Sequence, residues 1–154
     1  MNPLSRLNKL ATLAFLASAS ATVTLGMAAT AHADAPVNLK VDDALRAELV
    51  QTTAQLHGVP ASEYVGLERG LTYYAYDPDA LTYWAGGHLV PTATSTRAQV
   101  SIQDAGSYTL FKMIKGGAWT AFNDGDVGEG RGCPQALPAP ILAMWQWDPQ
   151  TCRP

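Results

Sequence analysis

Leu71-Thr72-Tyr73-Tyr74-Ala75-Tyr76-Asp77-Pro78-Asp79-Ala80-Leu81-Thr82-Tyr83-Trp84 is the stretch whose reading decides the fold. Leu71 to Tyr76 is built almost entirely from residues that pack well on a pleated surface. Asp77-Pro78-Asp79-Ala80 is a turn, with Asp at its first position and Pro setting φ at its second. Leu81 to Trp84 returns as a second strand, so the segment predicts an aromatic-rich β-hairpin. Side chains alternate across a strand, so Tyr74 and Tyr76 share one face and Tyr73 takes the other. One core cannot take all of these rings. Tyr and Trp left on a sheet surface suit protein contact or stacking on sugar rings, which makes Tyr74, Tyr76 and Trp84 the candidate binding face. The plainer reading of the same residues is cross-strand pairing that stabilises the hairpin.

Working outward, Gly86-Gly87 predicts a bulge or bend, after which His88 to Val90 continues the strand to Pro91. Pro91 to Thr96 reads as a polar loop. Arg97 to Gln103 alternates, with Ala98, Val100 and Ile102 on one side and Gln99, Ser101 and Gln103 on the other, which predicts a third strand. Asp104-Ala105-Gly106 fits a three-residue hairpin loop with Gly106 in the left-handed position. Tyr108 to Ile114 is the fourth strand, Lys115-Gly116-Gly117 a tight turn, and Ala118 to Phe122 the fifth. Short links force antiparallel neighbours, so the sheet is expected to be a meander.

Upstream, Asp42 or Asp43 caps a helix whose apolar face is Leu45, Leu49, Thr53 and Leu56, with Ala44, Val50 and Ala54 beside it. Gly58 and Pro60 end it, and Ala61 to Val65 can add one turn. Asp34 to Lys40 reads as a flexible lead-in. Downstream, Pro140 opens a short helix over Ile141 to Trp147, bracketed by Cys133 and Cys152. The expected fold is α+β: an N-terminal helix packed on a roughly five-stranded antiparallel meander in two layers, with a short disulfide-stapled C-terminal helix. Trp145 and Trp147 are expected at the core and rim of that domain.

The first residues are of another kind. Met1 to Lys9 carries Arg6 and Lys9 and no acid, and Leu10 to Ala31 carries no charge. Ala31-His32-Ala33 then offers an A-x-A processing site, the order of a secretory signal peptide over residues 1–33. The second register, Ala33-Asp34-Ala35, places Pro36 just past the cut, where its ring hinders the peptidase; cleavage after Ala33 is favoured. A membrane anchor is the competing reading of a run this long, but its Ala, Ser and Thr content and the processing site favour a leader. No Arg-Arg pair marks the twin-arginine route, and no Cys follows the apolar run to carry a lipid. Residues 34–154 are then a single secreted domain with no membrane span after processing.

Losing Arg6 and Lys9 leaves eight bases against thirteen acids, a net charge of −5. An acidic domain without a basic patch is a poor partner for nucleic acid or anionic membrane. Two cysteines in an exported chain are expected to pair, Cys133 with Cys152.

Catalytic signatures are weak. His88 could be combined with Ser101, Ser107 or Thr94 and an aspartate into a hydrolytic triad, but no G-x-S-x-G elbow frames any serine. His57 falls at a helix C-terminus, where a capping or surface role suffices. Asn123-Asp124-Gly125-Asp126 with Glu129 could offer oxygen ligands to calcium, yet the spacing is not that of an EF-hand, and these residues also suit a bare turn. Glu48, Glu63, Glu68 and Glu129 fall in different elements, with no spacing that pairs them for glycosidic chemistry. Gly128-Glu129-Gly130-Arg131-Gly132 lacks the strand-to-helix setting of a phosphate loop. No catalytic residue, cofactor or metal is assigned.

The leader ending Ala31-His32-Ala33-Asp34-Ala35, the pair Tyr76-Asp77-Pro78 and Thr82-Tyr83-Trp84-Ala85, the strand Gly117-Ala118-Trp119-Thr120, and the ending Cys133-Pro134, Leu137-Pro138, Trp145, Cys152 resemble a type of small secreted protein common in actinobacteria. The resemblance implies export and a disulfide and supplies no catalytic residue. The expected function is a non-enzymatic, extracellular or cell-wall-associated binding module for a protein or glycan. The alternatives are a small extracellular hydrolase working through His88, a secreted protease inhibitor presenting Asn123 to Gly132, and an accessory subunit.

Overall fold

The hairpin around Asp77-Pro78 is the middle of the sheet. The computed structural model describes residues 34–123 and 137–154. Its elements run β1 (Val37–Asn38), α1 (Asp43–His57), a 3-10 turn (Ala61–Glu63), β2 (Tyr64–Asp77), β3 (Thr82–Pro91), α2 (Thr96–Ala105), β4 (Tyr108–Ile114), β5 (Thr120–Asn123) and α3 (Ala139–Trp145). The strands form one antiparallel sheet in the order β1-β2-β3-β4-β5. The α+β class and the five-stranded antiparallel meander therefore hold.

Helix α1 has the expected ends. The Asp42 carboxylate accepts from the Leu45 N–H at 2.8 Å, and Gly58 closes the helix at φ 62°, with the Val59 N–H reaching the Ala54 carbonyl. Leu49, Val50, Thr53 and Ala54 are buried, whereas Leu56 is exposed. On the sheet they meet Leu67, Ala85, Leu89, Phe111 and Trp119.

Two expectations about the strands are corrected. Arg97 to Gln103 is not a strand but the body of α2. Ala98 and Ile102 lie four apart and satisfy helical as well as alternating periodicity, and the cap decides: the Ser95 hydroxyl accepts from the Ala98 N–H at 3.0 Å. The count of five survives because Val37–Asn38, within the lead-in expected to be flexible, is β1 and pairs with Tyr76 and Ala75.

The layering also differs. A helix on one face does not complete this sheet, because its other face is covered by the C-terminal segment in a third layer. There Ala75, Trp84 and Leu110 of the sheet pack with Leu137, Ile141, Leu142, Trp145, Trp147 and Cys152. Trp145 and Trp147 are both buried, so neither is rim. The Trp145 indole N–H donates to the Asn38 side chain at 3.2 Å, tying this layer to β1. Helix α3 is short and ends on Gln146 in the left-handed region (φ 58°). Cys133, the expected partner of Cys152, lies outside the described residues, as do the segment expected to be a leader (1–33) and all of Asn123 to Gly132 after Asn123.

Gly86-Gly87 is not a bulge. Both residues sit in the regular ladder, opposite Tyr73 and Thr72 on one side and Leu110 and Thr109 on the other. The irregularity is in β2, between Tyr64 and Gly66 and again between Leu67 and Thr72. Across the second, Leu67 pairs with Leu89 and Thr72 with Gly87, so β2 spends extra residues on Glu68 to Leu71.

Candidate functional site

Register places the aromatic side chains. Val37 lies opposite Tyr76, Tyr76 opposite Tyr83, and Tyr83 opposite Met113. Residues directly opposed across a ladder share a face, so Val37, Tyr76, Tyr83 and Met113 form a lateral row over four strands, about 15 Å from end to end at the usual strand spacing. The row lies at the turn end of the sheet. One step inward, Tyr74, Ala85, Phe111 and Ala121 form the next row on that face. Helix α1 packs on this inner row: Phe111 and Ala85 are fully buried and Tyr74 is packed against the core. Burial raises the Tyr74 phenol above its ordinary range, with Tyr83, Glu48 and Asp42 adding to the effect.

The outer row is only partly covered. Tyr76 and Tyr83 are half-buried, with ring centroids 4.6 Å apart and planes inclined by 34°. Tyr83 stacks on Tyr74 at 5.9 Å, and Tyr74 leans on Trp119, so the surface pair is backed by rings rooted in the core. The Lys115 ammonium lies 5.9 Å over the Tyr76 ring. Val37 is 52% exposed, and Leu81 in the adjacent turn is also exposed. The result is an amphipathic strip with flat ring surfaces, aliphatic flanks and a cation, which suits a flat ligand with apolar CH faces and polar edges.

Of the expected face, Tyr74 and Tyr76 do share a side, whereas Trp84 does not join them. Trp84 lies opposite Ala75 and Lys112, on the other face of the sheet, and is only 2% exposed beneath the C-terminal layer. The Lys112 ammonium sits 5.1 Å over its ring. A sheet has two faces with period two, so residue 84 cannot join residues 74 and 76, and of those two Tyr74 is packed against the core. Tyr83 and Met113, which sequence reasoning did not assign to this face, complete it. Register decides this: a turn over Asp77 to Ala80 would set Tyr76 opposite Leu81, whereas the chain turns between Asp77 and Thr82, which sets Tyr76 opposite Tyr83.

A second cluster surrounds His88. The irregular stretch of β2 re-aims Glu68, whose carboxylate meets His88 Nδ1 at 2.8 Å. The ring stands 6.1 Å from Tyr108, its cross-strand partner, and His88 Nε2 has no hydrogen-bond partner among the described residues. A carboxylate on Nδ1 with Nε2 open is the orienting half of a general-base arrangement. The nucleophile half is missing: no Ser, Thr or Cys side chain among the described residues hydrogen-bonds His88. Ser101, considered as its nucleophile, lies in α2 and makes no hydrogen bond to His88. No group of three or more metal-ligating side chains occurs among the described residues.

His57 is wired into the fold rather than capping at the surface. Its Nε2 lies 2.7 Å from Asn123 Oδ1 and its Nδ1 lies 3.1 Å from the Tyr64 hydroxyl. The amide oxygen only accepts, so Nε2 carries the proton and Nδ1 accepts from Tyr64. The network joins α1, β2 and β5.

The groove between α1 and the start of β2, about 530 Å3, is lined by Arg46, Arg69 and Asp43 together with Val50 and Tyr64. Both guanidinium groups converge on Asp43 Oδ1, at 2.8 and 2.9 Å, and hold that carboxyl below its ordinary range. The groove is a self-satisfied charge cluster. The proposed calcium ligands Asp124, Asp126 and Glu129 lie outside the described residues.

Comparison with protein families, with characterised proteins and with solved structures finds no match for this chain. Among the described residues no helix is long and apolar enough to cross a membrane.

Proposed function

We propose that the chain is an exported, non-enzymatic binding module that holds an extracellular glycan or protein on the row Val37, Tyr76, Tyr83 and Met113. The observation that carries this reading is the Tyr76–Tyr83 pair: two half-buried rings 4.6 Å apart, at the end of the sheet, backed by buried aromatics and flanked by Lys115. Tyr rings present large contact area at low conformational cost, and this scaffold orders them before any ligand arrives. Support for export comes from the positively charged start, the uncharged run and the A-x-A site. A bond between Cys133 and Cys152 belongs to the same reading, stapling the C-terminal segment to itself. Mass measurement with and without reductant tests it: an intact bond gains the mass of two hydrogen atoms as the reductant supplies two electrons and the solvent two protons, and no change refutes it.

The binding reading is tested with the mature chain against purified cell-wall glycan and culture-supernatant proteins. Saturable binding is expected to weaken about tenfold or more in Tyr76→Ala/Tyr83→Ala, corresponding to at least about 1.4 kcal/mol, with the circular dichroism unchanged. Binding that survives the double substitution moves the contact surface elsewhere.

One observation favours a second reading. The Glu68–His88 pair with its open Nε2 is the arrangement a small hydrolase using an activated water would need. Any hydrolytic activity found is expected to vanish in His88→Ala; activity that persists there ends this reading.

A further inference from the structure

The backbone nitrogen of Asp34 lies 3.1 Å from Asp79 Oδ1, a contact that bridges forty-five residues and joins the start of the secreted domain to the turn of the central hairpin. Its acceptor is held in place. Asp77, nearly buried, accepts from the N–H groups of Asp79 and Ala80 with one carboxylate oxygen, which fixes the turn that presents Asp79. Three residues after Asp34, β1 begins, and it is secured by few bonds: the pairing of Val37 and Asn38 with Tyr76 and Ala75, and the Leu39 N–H donating to Tyr74. So short a strand needs a clasp at its outer end.

We infer that cleavage of the Ala33–Asp34 bond creates an α-ammonium group that pairs with the Asp79 carboxylate and clasps β1, and with it Val37, onto the sheet. In the hydrolysis one water is consumed: the Ala33 carbonyl carbon keeps its oxygen and leaves as a carboxylate, and the Asp34 nitrogen takes up protons to become an ammonium. An amide donor to a carboxylate thereby becomes an ion pair over the same 3.1 Å contact. Cleavage after Ala35 removes Asp34 and its contact and leaves the imino nitrogen of Pro36 as the terminus. The contact with Asp79 thus joins the Pro36 argument in favouring cleavage after Ala33. Because Val37 is one end of the proposed binding row, the clasp also helps to order that row. The inference rests on the export reading, and its test separates the two.

The full chain is expressed in a secreting host and the protein recovered from the medium. Its mass is expected to correspond to a chain starting at Asp34. Absence of processed protein from the medium overturns the export reading and this inference with it; a processed chain starting at Pro36 leaves export standing and overturns only the inference. The recovered protein is then acetylated at its α-amino group at near-neutral pH, where lysines stay protonated. Acetylation keeps an N–H at the same position and removes only the charge. The melting temperature is expected to fall by about 1–4 °C, the range for an exposed ion pair, and the Leu39 amide to exchange several-fold faster. Both differences are expected to disappear in Asp79→Asn. Equal behaviour of free and acetylated protein, or an acetylation effect that persists in Asp79→Asn, overturns the ion pair.

Discussion

The six-membered ring of Trp147 occupies the space that a side chain on Gly86 would need: the three atoms nearest to a Cβ built there all belong to that indole. Trp147 also meets Tyr73 and Tyr108 edge-on, at 5.1 and 5.6 Å, and Trp145 at 4.9 Å. Gly86 is therefore the seat on which the C-terminal layer rests.

Gly86→Ala is expected to destabilise the domain by about 1–3 kcal/mol, because a rigid ring cannot yield as a flexible side chain would. Trp147→Ala is expected to cost about 3–5 kcal/mol through the cavity it leaves. In the Trp147→Ala background the added methyl at residue 86 should cost almost nothing, so the two changes are strongly non-additive. Urea unfolding of the four proteins measures the coupling; additive costs would show that the ring and the glycine are independent.

His57→Ala should act on three elements at once. It leaves the Tyr64 hydroxyl and the Asn123 amide without this partner at the junction of α1, β2 and β5. A cost of about 1–3 kcal/mol is expected. His57→Gln, which restores only one donor–acceptor pair, should recover part of it. A loss below about 0.5 kcal/mol in His57→Ala would reduce the network to a surface contact.

Alkaline pH should loosen the fold through three phenols. Burial raises Tyr64, Tyr74 and Tyr108 above the ordinary tyrosine range, Tyr108 most, with Tyr73 and Glu68 adding to the effect there. A group whose folded pKa is raised contributes stability that is complete below its unfolded value, about 10, and is lost as pH rises through the folded value. Unfolding free energy is therefore expected to decline above about pH 10. Tyr108→Phe should flatten that decline, since it removes the most strongly shifted group. A slope unchanged by this substitution would remove Tyr108 from the account.

Much of the topology is local in origin and so was open to sequence reasoning. Asp77-Pro78 sets a turn whatever surrounds it, and Asp42 and Gly58 cap a helix with their own side chain and backbone. The alternation at Tyr73, Tyr74 and Tyr76 divides them between two faces by period alone. Arg97 to Gln103 is ambiguous in sequence because the Ala98–Ile102 spacing satisfies both periods; the bond from the Ala98 N–H to Ser95 marks the helix start. Val37–Asn38 has no strand signal of its own, and is a strand because β2 offers it an edge.

The candidate site divides in the same way. That aromatic residues cluster on the hairpin, and that Tyr74 and Tyr76 point together, is determined by the chain itself, since both follow from local geometry. Which rings reach solvent was decided only when the layers assembled. The core beneath α1 takes in Tyr83 only in part and does not include Tyr76, so both rings stay partly open, while the C-terminal segment buries Trp84 on the opposite face. The same holds for His88, whose carboxylate partner comes from an irregularity in β2 twenty residues away. Burial and partnership are relations between segments distant along the chain, so they arise from packing and are not encoded in any window of sequence.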